Sequence, residues 1–366
     1  MKKAYFLSVT VMLLILMAPG TAPAAPPKAV GFVMGTTWVK DSSFGAAQIA
    51  WAEELEKRTN GQMKVRQMTW AGAIAAPATV YELLGKDVID LAPLTPLYSP
   101  SNFRLSIALA PLFLNDGQGI YELQGELLKK IPEVEAEWAK MNIKVIAWFQ
   151  PATTPLTTNF TFDSMDGLKA KRIRTLGPMT DMIKKWGGVP LNVSTADMYT
   201  AMQKGTIDGV TSAPLSYVEG MRLYEVAKQI TDFRFGFYAM WTALGMNLDK
   251  WNSLTDSQKK VIDEIAPVLA AVNKEREYKQ GMDALKHASE QGVKIVLLSP
   301  EGAKAWQRVA NPEALWDKSL AGAEQAGYKD VWKYKDMIKN FLADYEKSHS
   351  YKSLVEEFLE LKKQGK

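Results

Sequence analysis

Cysteine is absent from the 366 residues, which excludes disulfides, thiolate nucleophiles, thiolate metal ligands and a lipid-anchored amino-terminal Cys. Histidine is nearly absent. Only His287 and His349 occur, both in polar helical contexts near the end, so the usual general base and metal ligand is scarce. No basic run stands behind the net charge of +4, which argues against a nucleic-acid partner. The chain contains no Gly-x-Ser-x-Gly, HExxH or Walker sequence, no Gly-rich dinucleotide turn and no Cys/His pair. Carboxylates are plentiful, so a secreted hydrolase or lyase of α/β build that works through paired acids stays open at this point. Nothing demands a cofactor or a metal. No internal repeat is visible.

Long apolar runs are missing as well, except at the start. Lys2-Lys3, the apolar run Tyr5 to Ala18 and the small residues Ala22-Pro23-Ala24 have the three parts of a secretory signal peptide. The run is too short for a bilayer span of roughly 20 residues. Export with cleavage near Ala24 is expected, so residues 1–24 are assigned to the signal peptide and Pro23 to Pro27 to a lead-in. A mature chain soluble in the periplasm follows. With 47% hydrophobic and 23% charged residues, the rest is ordinary globular material, long enough for two domains.

The stretch from Asp166 to Ala213 reads as strand, helix, strand, helix and strand. Arg172 to Thr175 is a short strand with Ile173 on one face and Arg172 and Arg174 on the other. Met179, Met182, Ile183 and Trp186 follow at helical spacing and stop at Gly187-Gly188. Ser194 with Asp197 three residues on has the form of a capping box before Met198, Ala201 and Met202. Gly205 closes that helix.

This stretch resembles the signature region of the substrate-binding proteins of TRAP (tripartite ATP-independent periplasmic) transporters, the DctP-type family. Gly167-Leu168-Lys169, Ile173-Arg174 and Tyr199 to Gly209 match the family in order and nearly in spacing, with two extra residues at Lys171-Arg172. The likeness extends from about Gly31 to about Glu264. It includes Asp90, Tyr98-Ser99-Pro100, Ala110 to Leu114, Thr157-Thr158-Asn159 at a crossing between lobes, and Lys250, Trp251 and Leu254.

The periodicity of the remaining chain alternates in the same way. Val30 to Met34 is a strand, and Phe44, Ala47, Trp51 and Leu55 share one helical face ended by Asn60-Gly61. Met63 to Met68 and Ile89 to Pro93 are strands with a helix at Val80, Leu83 and Leu84 between them. Gly117 to Lys140 reads as two helices divided near Pro132, and Ile143 to Phe149 as a strand. Phe235 to Met246 is the expected return crossing. Thr255 and Gln258 form a second capping box before a long helix through Pro267, where a kink is expected, to Gly292. Ile295 to Leu298 is a last strand, followed by amphipathic helices.

The expected fold class is therefore α/β. The resemblance makes it a two-lobed fold like the class II periplasmic binding proteins, with hinge strands and a long bracing helix. Residues 28–151 with 242–285 form lobe I, 152–241 with 286–320 form lobe II, and 321–366 form carboxyl-terminal helices. The resemblance implies a binding protein and not an enzyme. It would capture a small organic acid by lobe closure and deliver it to the small and large permease subunits in the membrane.

Arg174 suits that task because its guanidinium offers a carboxylate a planar pair of donors and stays charged. An exposed Arg in a surface ion pair is the competing reading. Laying the family pattern on the chain adds Thr37, Trp38, Trp70, Thr95, Thr154, Thr195, Ser212, Tyr238 and Trp241 as ligand-site candidates, each of which has packing as its alternative role. Some acid-binding members carry a second Arg where Thr154-Pro155-Leu156 stands, and an Asn where Thr211-Ser212-Ala213 stands. One guanidinium among hydroxyls and indoles fits a monocarboxylate with an apolar or aromatic body better than a diacid. A sensor module is a third possible use of the same fold.

Overall fold

The computed structural model describes residues 29–110, 128–149, 154–235, 242–350 and 352–365. The signal-peptide segment, Pro111 to Leu114, the first helix expected after Gly117, Tyr238 and Trp241 lie outside them.

Two mixed sheets carry the fold. The first takes β1 (Val30–Gly35), β2 (Met63–Thr69), β3 (Leu91–Leu94) and β4 (Ile143–Phe149). The second takes β5 (Leu156–Thr158), β6 (Arg172–Arg174), β7 (Val189–Leu191), β8 (Gly209–Val210) and β9 (Gln229–Asp232). The chain then returns to the first sheet as β10 (Thr242–Asn247) and ends in the second as β11 (Lys294–Leu297). The orders are β2-β1-β3-β10-β4 and β11-β9-β5-β8-β6-β7. Antiparallel β10 lies between β3 and β4, and antiparallel β5 lies between β8 and β9. The remaining pairs are parallel, so most strand ends that share a crossover helix point the same way.

Local sequence explains these elements. Ser42 accepts the Gly45 N–H at 3.1 Å to start the helix Ser43–Arg58, and Asn60 and Gly61, both at positive φ, end it. Its inner face is Phe44, Ala47, Trp51 and Leu55, all fully buried. Each large apolar side chain of that kind contributes about 1.5–3 kcal/mol relative to exposure. The capping box of Thr255 and Gln258 forms and opens the helix Asp256–Glu290, which continues through Pro267. The box expected at Ser194 does not form. Thr195–Asp197 makes a 3-10 turn there, and the Ser194 hydroxyl donates to the Asp197 carboxylate at 2.6 Å, so it caps no backbone N–H.

The helix Asp256–Glu290 packs on Ser43–Arg58 and β4 of the first lobe and on the helix Leu215–Gly220 of the second. The carboxyl-terminal helices join the lobes again. Trp306 and Ala310 of Pro300–Ala310 accept from Trp186 and Lys185 of the second lobe at 3.2 and 2.7 Å. Trp316 of Pro312–Gln325 donates to Ala108 of the first at 2.8 Å. The expected boundaries at 285 and 320 fall inside the helices Asp256–Glu290 and Pro312–Gln325.

Candidate functional site

Strand β6 lies between β8 and β7, and Arg174 is its last residue, at the carboxyl end where ligands of α/β sheets gather. The loops that leave the two flanking strands turn carbonyls toward it. Nε donates to Val193 O at 3.0 Å, and Nη1 donates to Thr211 O at 3.2 Å and Ser212 O at 3.0 Å. Ser212 sits at φ 55, a left-handed conformation that costs on the order of 1–3 kcal/mol in a residue other than glycine. That turn delivers the Ser212 carbonyl to the guanidinium.

Arg174 is 1% exposed, and no acidic side chain among the described residues pairs with it. Burial pulls its pKa below the ordinary value, while the phenol oxygens of Tyr98 and Tyr217 push it back up. The Tyr98 hydroxyl lies 3.4 Å from the Thr195 hydroxyl. Tyr98 follows β3 of the first lobe, so this contact crosses between lobes. Tyr217 is buried, and burial pushes its phenol well above the ordinary range, with Tyr98 and the Glu277 carboxylate adding to the effect. Trp38 of the first lobe offsets part of that rise. The hydroxyls of Thr175, Thr211 and Ser212, which surround the Arg174 backbone, are buried without partners.

Beside this cluster runs a cleft whose walls include Thr37, Trp38 and Ala71 on one side and Thr195, Ser216 and Tyr217 on the other. Its free volume is about 40 Å³, space for roughly three waters at 10–15 Å³ each. The lobes are therefore close together, and a ring-sized acid enters only if they part. Among the described residues no Lys or Arg lines the cleft, Arg174 included.

The sequence-derived candidates divide accordingly. Thr37, Trp38 and Thr195 line the cleft, with the Trp38 ring stacked on Phe44 at 4.2 Å. Ser212 touches Arg174 through its carbonyl. Trp70 is half-buried next to the lining residue Ala71. Thr95 is buried behind the cleft, where its hydroxyl meets that of Thr242 at 3.1 Å. Thr154 lies in a smaller cavity with Asp232, Phe235 and Leu354, and its hydroxyl has no partner there. Tyr98, Ser216 and Tyr217 were not among the candidates. Their signal was position alone: Ser216 and Tyr217 follow β8, which runs parallel to β6, and Tyr98 follows β3 of the other sheet.

The profile of the bacterial extracellular solute-binding proteins of family 7, DctP, matches residues 34–321. The chain is 24% identical over 269 residues, 72% of its own length and 77% of the relative's, to the outer membrane transporter protein TsaT of Comamonas testosteroni. A TRAP periplasmic solute-binding protein from Desulfovibrio salexigens, solved with bound orotic acid, matches with a TM-score of 0.74 at 17% identity, covering 86% of this chain and 99% of that one. Another from Roseobacter denitrificans, solved with bound β-D-glucuronate, matches with a TM-score of 0.71 at 16% identity, covering 83% and 98%. Because the profile spans most of the chain and both sheets, this protein belongs to family 7 of the bacterial extracellular solute-binding proteins, the DctP-type binding proteins of TRAP transporters.

Proposed function

We propose that the chain captures a small organic acid with a single carboxylate between its lobes, on Arg174, and hands it to the small and large permease subunits of a TRAP transporter. The observation that carries this reading is a buried guanidinium whose charge no carboxylate among the described residues neutralises. A buried charge without a counter-charge is expensive, and here three backbone carbonyls hold it in place without cancelling it. Because Nε and Nη1 are committed to those carbonyls, Nη2 is the nitrogen left for the ligand.

The cleft supplies apolar surface from Trp38, Val39, Ala71 and Met221, and among the described residues no cation lines it, so Arg174, which acts on the lining residue Tyr217, is the single guanidinium this reading offers the acid. That suits a monocarboxylate body and disfavours a diacid. The liganded form closes because the acid bonds lobe II through Arg174 while its body contacts lobe I, giving closure a higher affinity than the open form. Export to the periplasm accords with the family and with the signal-peptide pattern. No helix among the described residues is long and apolar enough to cross a membrane.

Calorimetric titration of the purified mature chain with mono- and dicarboxylates, orotate and D-glucuronate included, tests this. Saturable binding of a monoacid that Arg174→Ala abolishes is expected. A clear preference for succinate-like diacids would reject the single-carboxylate assignment, and chemical turnover of the acid would favour the hydrolase or lyase reading.

A further inference from the structure

The helix Asp256–Glu290 carries a buried acid that the ligand contact does not use. Glu277 is 2% exposed. Its Oε1 accepts from two serine hydroxyls, Ser216 at 2.7 Å and Ser43. Ser43 is the first residue of the helix Ser43–Arg58 in the first lobe, and Ser216 belongs to Leu215–Gly220 in the second. One carboxylate oxygen on the spanning helix thus holds a donor from each lobe. Close approach at this point needs Gly281, one turn on, where a Cβ would lie 3.4 Å from that of Leu215 and 2.5 Å from the Leu354 side chain.

The consequence reaches the cleft, because Ser216 lines it. A serine hydroxyl has one hydrogen and two lone pairs. With that hydrogen given to Glu277, the Ser216 oxygen has only lone pairs to offer a ligand. The neighbouring Tyr217 feels the same carboxylate.

We infer that Glu277 is a positioning residue that ties the two lobes through Ser43 and Ser216 and fixes Ser216 as a hydrogen-bond acceptor in the cleft wall. The acids selected there carry a hydroxyl or N–H donor besides their carboxylate. This rests on the reading of the Arg174 cleft as an acid site. The tie between lobes does not.

Two measurements on the mature chain test it. Matched probes differing by one donor, benzoate with 4-hydroxybenzoate and cyclohexanecarboxylate with its 4-hydroxy derivative, are titrated against wild type and Ser216→Ala. The hydroxylated member of at least one pair is expected to bind roughly tenfold tighter to wild type, the value of one good hydrogen bond. Ser216→Ala is expected to shrink that preference to about threefold or less, any loss from parting of the lobes falling on both members of a pair alike.

The tie is read without ligand. Because the chain has no cysteine, spin labels at Lys57→Cys and Lys204→Cys report the distance between lobes by double electron–electron resonance. Glu277→Ala and Ser216→Ala are expected to shift that distribution to longer distances, and Glu277→Gln less so. Unchanged distances would overturn the tie. A preference unaffected by Ser216→Ala would overturn the acceptor role while leaving the acid site standing. Binding of none of the four acids by wild type would overturn the acid reading and the selectivity together, with the distances still deciding the tie.

Discussion

Arg172 and Arg174 stand two residues apart on the same strand and have opposite surroundings. Arg172 is largely exposed and clasped by Asp208, whose Oδ1 accepts from Nη2 at 2.9 Å and whose Oδ2 accepts from Nε at 3.1 Å. Its hydrogen bond to that carboxylate raises its pKa, as expected for a satisfied ion pair. Arg174 is buried among carbonyls, its pKa lowered by that burial, with no carboxylate among the described residues beside it. One guanidinium is therefore spent on an ion pair, and the other is the one we propose meets an anion that arrives from outside. The two share a face of the strand, and the difference is that Arg172 opens it at the surface while Arg174 closes it where the loops after β7 and β8 bury it.

The comparison is open to attack at several points. Arg174→Ala has the largest expected effect, a loss of about 2–5 kcal/mol in acid binding, or roughly thirtyfold to several thousandfold by calorimetry. Ser212→Val comes next. A β-branched residue tolerates positive φ poorly, so the carbonyl that holds Nη1 is displaced. Affinity is expected to fall about tenfold, whereas Ser212→Gly keeps the turn and stays within about threefold.

Asp208→Asn sharpens the other side. Burial alone would raise the Asp208 pKa, but the Arg172 side-chain and backbone bonds outweigh it, and the carboxyl sits below its ordinary value. A carboxyl depressed on folding adds stability above its unfolded pKa of about 3.9, and that stability is lost as pH falls through the folded value. Urea unfolding from pH 6 down to 3 is expected to show a shallower acid loss in Asp208→Asn than in wild type. Arg172→Ala has the smallest expected effect, less than about threefold in affinity and at most about 1 kcal/mol in stability, as for exposed pairs generally.

Much of the second lobe was legible because local rules act there. The spacing of Met179, Met182, Ile183 and Trp186 and the glycine stop gave the right helix and face, since all four are buried. The strand that carries Arg174 was placed by its family pattern, and the competing surface ion pair turned out to belong to Arg172. The capping box at Ser194 was misread because a serine three residues before an acid can donate to it as readily as cap a backbone.

Glu277 was hidden for a different reason. Asn273, Glu277 and Gly281 recur at four-residue spacing and look like a solvent face, yet all are buried. The helix has protein from both lobes around it, so a polar stripe packs against serines where periodicity expects water. Tyr98 and Tyr217 are separated from Arg174 by many residues in sequence, and only the meeting of the lobes brings them to it.

The central claim is that Arg174, and not its neighbour on the strand, grips the acid. The direct test is to find the tightest monocarboxylate for wild type and then compare Arg174→Lys with Arg172→Lys by calorimetry on that acid. Lysine keeps the charge but loses the planar set of donors. The account predicts a loss of tenfold or more for Arg174→Lys and less than about threefold for Arg172→Lys. Equal losses, or an Arg174→Lys protein that binds as wild type does, would contradict it.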